Sequence, residues 1–265
     1  MKDAYSLHAT QESLSEHYDR IRGAYSRLFE RLGIEFVITE ADNSVMGGPA
    51  SEEFVAPVET GTTSLVYCSA NACRFGTTPE SPDEYATFDA GDGCPNCGET
   101  LVADEGIEIA HIFELGARYA EPMGLTIDMA DGSRQDVLMG SYGIGIERLL
   151  HTLVAQNADE NGCRWPGEST DTVAPYTVSI VPLAYEDELA AVADVLYEEC
   201  PSTETLLFDD PDQSIGERFA ESDLLGIPYK LVIGNNFRET GEFEVETRDG
   251  DTRYIKRGEV STLFD

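Results

Sequence analysis

Lysine is almost missing from this chain: of 17 basic residues only Lys2, Lys230 and Lys256 are lysines, and the rest are arginines. Against them stand 51 aspartates and glutamates, for a formal net charge of −34. A chain so poor in cations lacks the basic face through which phosphate-binding proteins gain affinity by counterion release, so composition alone argues against nucleic acid. The acid is spread along the whole sequence instead of forming one tail. That pattern suits a protein that must stay hydrated in concentrated salt. At about 1 M the Debye length falls to roughly 3 Å, which screens repulsion among surface carboxylates and between them and RNA. The expectation is a halophilic source.

Long apolar runs are absent as well. No stretch approaches the roughly 18 to 20 residues needed to span a bilayer, and the first residues are polar and charged, unlike a signal peptide. A membrane partner is therefore excluded and a cytoplasmic protein expected. Cysteine is scarce at six residues; Cys163 and Cys200 stand alone and read as small buried hydrophobes, so no disulfide framework is expected. What is present is globular in character. The chain has 265 residues, 41% of them hydrophobic and 9% aromatic, enough for one large core or two medium ones.

The most informative segment is Asp136-Val137-Leu138-Met139-Gly140-Ser141-Tyr142-Gly143-Ile144-Gly145-Ile146-Glu147-Arg148. An apolar strand passes through three closely spaced glycines into a helix whose first turns carry an arginine. Glycines at 140, 143 and 145 would let a base or phosphate approach the backbone, and Arg148 brings a permanent, fork-shaped cation to the same spot. The residues alone also permit tight packing with a surface ion pair from Arg148 to Glu147 or Asp136.

The string Met139 to Arg148 resembles motif 3 of class II aminoacyl-tRNA synthetases, in the form found in bacterial-type prolyl-tRNA synthetases. Two more segments resemble the same family in the same order: Lys2-Asp3-Ala4-Tyr5 with the following Thr10-Gln11-Glu12, similar to the end of motif 2, and Gly106-Ile107-Glu108-Ile109-Ala110-His111-Ile112-Phe113, similar to the strand beside the proline pocket. The likeness continues through Gly216-Glu217-Arg218-Phe219 to Ile227-Pro228. It implies an α+β catalytic core with an antiparallel class II synthetase sheet, here incomplete, followed by an α/β anticodon-binding domain. It also implies ATP-dependent activation of proline and its transfer to tRNA(Pro), with ATP and Mg2+ as cofactors.

By this resemblance Arg148 binds ATP phosphates beside Gly143 and Gly145. His111, Phe113 and Ser141 line the proline site, with Ser141 at a position often occupied by cysteine. Glu108 would hold magnesium or the proline ammonium, or else is an ordinary strand glutamate; His111 could equally be a satisfied core histidine. Glu108 and His111, three apart, point to opposite sides of an ideal strand, so one pocket can take both only through a twist or bulge. Ser51-Glu52-Glu53-Phe54 resembles the family's Ser-His-Glu-Phe, with Glu52 at the histidine position.

Periodicity divides the chain. Residues 1–156 are expected as the C-terminal part of the catalytic core, opening with one long amphipathic helix from about 9 to 32 ended by Gly33. Residues 61–105 form a short insert where many relatives carry a large editing domain. It holds Cys68-x4-Cys73 and Cys94-Pro-Asn-Cys97-Gly98, which read as a zinc ribbon with a structural Zn2+ or as four reduced thiols. Residues 157–172 are the expected linker. Residues 173–265 alternate β and α elements in the manner of a mostly parallel sheet, closing with a hairpin around Asp249-Gly250.

On the family pattern the chain begins inside motif 2. The α-phosphate arginine, the adenine-stacking aromatic residue, the dimer-forming motif 1 and the loop that senses the proline nitrogen would all lie before Met1. Two expectations follow. One is a synthetase portion, inactive without a missing N-terminal half or a homodimer partner; the other is a non-catalytic descendant serving as a tRNA-binding or regulatory module.

Overall fold

The computed structural model of the chain describes residues 1–70, 72–82, 87–167 and 173–264. Parts of the expected insert (71 and 83–86) and of the expected linker (168–172) lie outside the described residues, as does 265. The chain divides into two compact units, Met1–Gln156 and Asn157–Asp265.

In the first unit, strand β1 (Lys2–His8) leads into helix α1 (Gln11–Arg31). Thr10 caps α1 by accepting from the Ser13 amide at 3.2 Å. At the other end Gly33, at φ 67°, closes the helix with Gly33 N–H on Glu30 O and Ile34 N–H on Phe29 O, a paired arrangement that uses up the last carbonyls. Then come β2 (Val37–Glu40), β3 (Ala50–Pro57), β4 (Thr63–Cys68), β5 (Gly76–Thr77) and the long β6 (Leu101–Gly116). A short helix α2 (Ala120–Met123), the hairpin β7 (Thr126–Asp128) and β8 (Arg134–Asp136), strand β9 (Leu138–Ile144) and helix α3 (Ile146–Asn157) complete it.

Five of these strands run β1-β9-β6-β3-β2 across one antiparallel sheet, with β4 and β5 continuing beside β6. One face is closed by α1. Its buried Leu14, Tyr18, Tyr25 and Phe29 recur at helical spacing, and Phe29 meets Phe54 edge-on at 5.4 Å and Phe36 at 5.5 Å. Helix α1 covers only that face. On the other side, β1 lies at the sheet edge with Tyr5 66% and Leu7 60% exposed.

The second unit contains β10 (Val178–Pro182), α4 (Asp187–Glu199), β11 (Thr205–Leu207), α5 (Ile215–Leu225), β12 (Tyr229–Ile233), α6 (Asn235–Thr240), β13 (Phe243–Thr247), β14 (Thr252–Ile255) and a 3-10 helix at Arg257–Leu263. The sheet order is β11-β10-β12-β13-β14. Strand β10 is parallel to both neighbours, whereas β12, β13 and β14 are antiparallel, so the sheet is mixed and only half of it is parallel. For β13 and β14 the reason is local: Gly250, at φ 87°, reverses the chain in a tight hairpin with no helix between them, whereas β12 and β13 pair antiparallel although α6 intervenes. Ser214 and Glu217 cap α5 reciprocally.

The described part of the expected linker is folded onto this second unit. Trp165 donates to Leu225 O at 2.8 Å, and Asp159 accepts from both Arg164 and Arg248 at 2.8 Å. These contacts satisfy groups that a free tether would leave to water. Among the described residues, no helix is long and apolar enough to cross a membrane.

Candidate active site

The uncovered face of the first sheet carries the chemistry, and strand register puts it there. Pairing aligns Asp3, Gly143, His111 and Glu53 in one row across β1, β9, β6 and β3, and Tyr5, Ser141, Phe113 and Ser51 in the next. Residues directly opposite in an antiparallel sheet share a face, so a row of paired residues is a row of neighbouring side chains. His111 and Phe113, two apart on β6, stack with ring centroids 3.8 Å apart.

Glu108 joins them through a bulge. Glu108 pairs with Val55 and Ala110 with Phe54, leaving Ile109 as an extra residue on β6. The inserted residue returns Glu108 to the side of His111, which an ideal strand would not allow. The carbonyl freed at Ile109 is taken by the Gly145 amide at 2.9 Å, so the bulge is tied to the junction between β9 and α3.

Arg148, in the first turn of α3, reaches this cluster. Its Nη1 donates to Glu108 Oε2 at 2.7 Å and to Glu108 O at 3.0 Å, so its partner is Glu108 and not Glu147 or Asp136. The arginine stem lies across Gly145, where a Cβ would stand 3.1 Å from Arg148 Cδ. Gly143 is open: a Cβ there would meet nothing nearer than His111 O at 3.7 Å. Gly140 differs from the expectation of a ligand cradle. A Cβ there would run into the Tyr142 hydroxyl and lie 2.9 Å from Ser6 Oγ, on the face covered by α1. Its role is to accommodate the 2.9 Å hydrogen bond between Tyr142 and Ser6.

Glu53 is a further candidate that the sequence alone did not single out. It is buried on the open face, with Oε1 3.4 Å from His111 Nδ1, which also lies 3.6 Å from Glu108 Oε1. Burial pushes its carboxyl up to about 7. Glu108 is held below its usual range by its hydrogen bond to His111 and then by Arg148. The neighbouring Glu52 faces α1 instead, where Arg22 Nε contacts both its oxygens at 2.8 and 3.0 Å. The signal for Glu53 was available: Phe54 is a core residue, and period-2 alternation puts position 53 on the opposite face.

These groups border a cavity of about 1050 Å³ lined by Asp42, Glu53, Glu80, Glu108, His111 and Phe113, with Val45 and Met46 from the loop after β2. Tyr119 and Arg118 hold that loop by donating to Met46 O at 3.1 Å and Val45 O at 3.3 Å. The site thus offers a flat aromatic stack, carboxylates for a cation and one guanidinium for an anion.

A second cluster lies in the expected insert. Cys68 and Cys97 sulfurs are 3.4 Å apart, Cys73 and Cys94 are 3.7 Å apart, and all four sulfurs fall within 4.8 Å of one another without a disulfide. A tetrahedron of thiolates around zinc, with bonds of about 2.3 Å, has edges of about 3.8 Å. The C-x4-C half therefore meets the C-x2-C half at two separations close to that edge.

Residues 1–157 match the family model described as tRNA synthetase class II core domain (G, H, P, S and T), and residues 177–264 match the one described as anticodon binding domain. Similar curated proteins include a Proline--tRNA ligase of Anaplasma marginale, 36% identical over 94% of this chain and 59% of its own length. Another, from Agrobacterium fabrum, is 35% identical over 99% of this chain and 62% of its own length. The chain therefore spans about 60% of the curated relatives it matches. Among solved structures, prolyl-tRNA synthetase from Cryptosporidium parvum, complexed with halofuginone and AMPPNP, superposes with a TM-score of 0.65 at 16% identity, covering 99% of this chain and 46% of that one. At that identity the likeness speaks for the fold alone.

Proposed function

This chain belongs to the class II aminoacyl-tRNA synthetases, in the family of the proline–tRNA ligases, and from that premise we propose that its open sheet face supplies half of a proline-activating site. The reaction is an in-line displacement: the proline carboxylate bonds to the α-phosphorus of ATP, the bond to pyrophosphate breaks, and the prolyl group then passes to the terminal ribose of tRNA(Pro). Such chemistry asks the protein mainly to hold two anions at attack distance and to neutralise their charge.

One observation carries this reading: register and bulge together bring Arg148, Glu108, His111, Phe113 and Ser141 to a single face although they span 41 positions, from 108 to 148. The stacked His111 and Phe113 offer a wall for the pyrrolidine ring, with Ser141 beside Phe113. Glu53 and Glu108 suit the proline ammonium. Arg148 suits the phosphates of ATP above Gly143, whose missing side chain leaves the approach open, while Gly145 makes room for the arginine stem. Magnesium supplies charge neutralisation on the triphosphate, and the carboxylate of Glu108 has the hard oxygen chemistry it prefers. The second unit receives tRNA(Pro), and a homodimer partner or further synthetase segment completes the enzyme. Cytoplasmic residence in a halophile fits the composition, with acid-rich surfaces and RNA meeting in screening salt.

The four insert cysteines hold a structural zinc on this reading, since their sulfur separations match the edges of a thiolate tetrahedron. Plasma emission on carefully purified protein should give about one zinc per chain; a value near zero would leave four reduced thiols.

The test of the site is equilibrium binding at high KCl. Mg2+–ATP and proline should each bind the chain, Arg148→Ala should lose at least about tenfold in ATP affinity, and His111→Ala should lose proline while keeping ATP. Wild-type protein that binds neither ligand would sink the proposal.

A further inference from the structure

The placement of Arg148 poses a question that phosphate binding alone does not answer. Its Nη1 is already committed, at 2.7 Å to the Glu108 carboxylate and at 3.0 Å to the carbonyl of the same residue. The stem lies across Gly145, where an added Cβ would stand 3.1 Å from Arg148 Cδ. Glu108 is equally committed: Oε2 holds Arg148, while Oε1 faces His111 Nδ1 at 3.6 Å. The Arg148 guanidinium is therefore paired with a carboxylate at rest. The adjoining cavity walls add the carboxyl groups of Asp42, Glu53 and Glu80. A bare polyanion entering that cavity meets acids, and none of its described lining residues is a lysine or an arginine.

We infer that the Arg148–Glu108 pair is a resting lock, opened by partner exchange when a triphosphate arrives as its divalent-metal complex. The incoming metal takes the Glu108 carboxylate, and the guanidinium so released takes a phosphate oxygen. Both exchanges are charge-matched, so neither carboxylate nor guanidinium is left alone in the site. The contact from Arg148 to the Glu108 carbonyl involves no charge on the acceptor. It can persist through the exchange and keep the guanidinium in place. The metal acquires a second task here, since it unlocks the phosphate-binding arginine in addition to lowering the charge of the nucleotide. Glu108 would thus have two successive partners, Arg148 at rest and the metal when loaded, and the site is selective for metal-loaded over free nucleotide.

This inference rests on the reading of Arg148 as the phosphate-binding residue, and the two can fail separately. The experiment measures ATP affinity of the whole chain by equilibrium dialysis at high KCl, once with excess Mg2+ and once with EDTA. Wild type should favour Mg2+–ATP strongly. Glu108→Gln should bind metal-free ATP about fivefold more tightly than wild type, the worth of releasing one half-exposed ion pair, and should lose most of the advantage of Mg2+. Arg148→Ala should bind poorly in both conditions. If Glu108→Gln folds badly, Glu108→Ala is read the same way, with the thermal transition of each variant checked in the same buffer. A Glu108 that merely supports the fold would weaken both conditions together. The lock is overturned if removing the carboxylate leaves metal-free binding unchanged or weaker, or leaves the preference for Mg2+ intact. If wild type binds no ATP under either condition, the nucleotide reading itself falls and takes the lock with it.

Discussion

The two faces of the first sheet are made by the same strands and obey opposite rules. On the side of α1, Phe54, Ile112 and Tyr142 are fully buried, the aromatic rings meet edge-on, and even the acid Glu52 is matched by Arg22. On the other side, Glu53, Glu108, His111 and Arg148 are crowded together, and the Nε2 atom of His111 is buried without a partner among the described residues. One face is closed by packing, with only the Tyr18 hydroxyl buried without a partner among its described α1 residues. The other holds charge in arrangements that a ligand would improve, which is how stability and function are divided between alternate residues of single strands.

The sharpest way to test that division is to cut each face in turn. Phe54→Ala removes a fully buried ring from the closed face and should cost about 3 to 5 kcal/mol in chemical denaturation, with the denaturant slope unchanged. A loss under about 1 kcal/mol would mean that α1 does not hold the sheet. Its neighbour Glu53 should behave in the opposite sense. Its folded pKa of about 7 lies above the ordinary 4.5, so the protonated form is favoured by folding. Its contribution is complete below about pH 4.5 and is lost as pH rises to about 7. Glu53→Gln should remove that slope, stabilising the variant relative to wild type by about 3 kcal/mol more at pH 8 than at pH 4. Parallel stability profiles for the two proteins would show that Glu53 is not a strained buried acid.

How much of this contrast could be read from the chain depends on how local its cause is. Helix α1 was legible because its apolar spacing, the Thr10 cap and the Gly33 stop are all encoded within 25 residues, from 10 to 34. Motif 3 was legible as a strand entering a helix, and Arg148, Glu108, His111, Phe113 and Ser141 could be named as candidates. Their relationships could not. The Ile109 bulge depends on a misfit between β6 and β3, distant in sequence, so a pairwise register decides a question that Glu108 and His111 pose alone. Arg148 was weighed against Glu147 and Asp136, its neighbours in sequence, whereas its partner lies 40 residues away on another strand. Glu53 was overshadowed because the departure from the family pattern falls at Glu52. The parallel half of the second sheet followed from alternating β and α elements and the β13–β14 hairpin from the Asp249-Gly250 turn, but the antiparallel β12–β13 pair, set by a register across α6, had no such local signal.

The finest test of the two-face division uses two glycines of one strand. Gly140 and Gly143 sit three apart on β9, and neither needs a positive φ, so only space distinguishes them. A methyl at 140 collides with the hydroxyl of Tyr142, itself only 1% exposed and unable to withdraw, and Gly140→Ala should cost about 1 to 3 kcal/mol by overpacking. The double variant with Tyr142→Phe should recover part of that loss, because it removes the oxygen that collides. A methyl at 143 meets only ordinary contacts at 3.7 and 3.9 Å, so Gly143→Ala should leave stability within about 0.5 kcal/mol. It should nevertheless weaken Mg2+–ATP binding several-fold, since the methyl stands on the side from which the nucleotide approaches. If Gly143→Ala lost stability as Gly140→Ala does while binding stayed intact, the open face would be packing surface like its reverse. If both glycines affected only stability, the functional reading of motif 3 would have to rest on Arg148 alone.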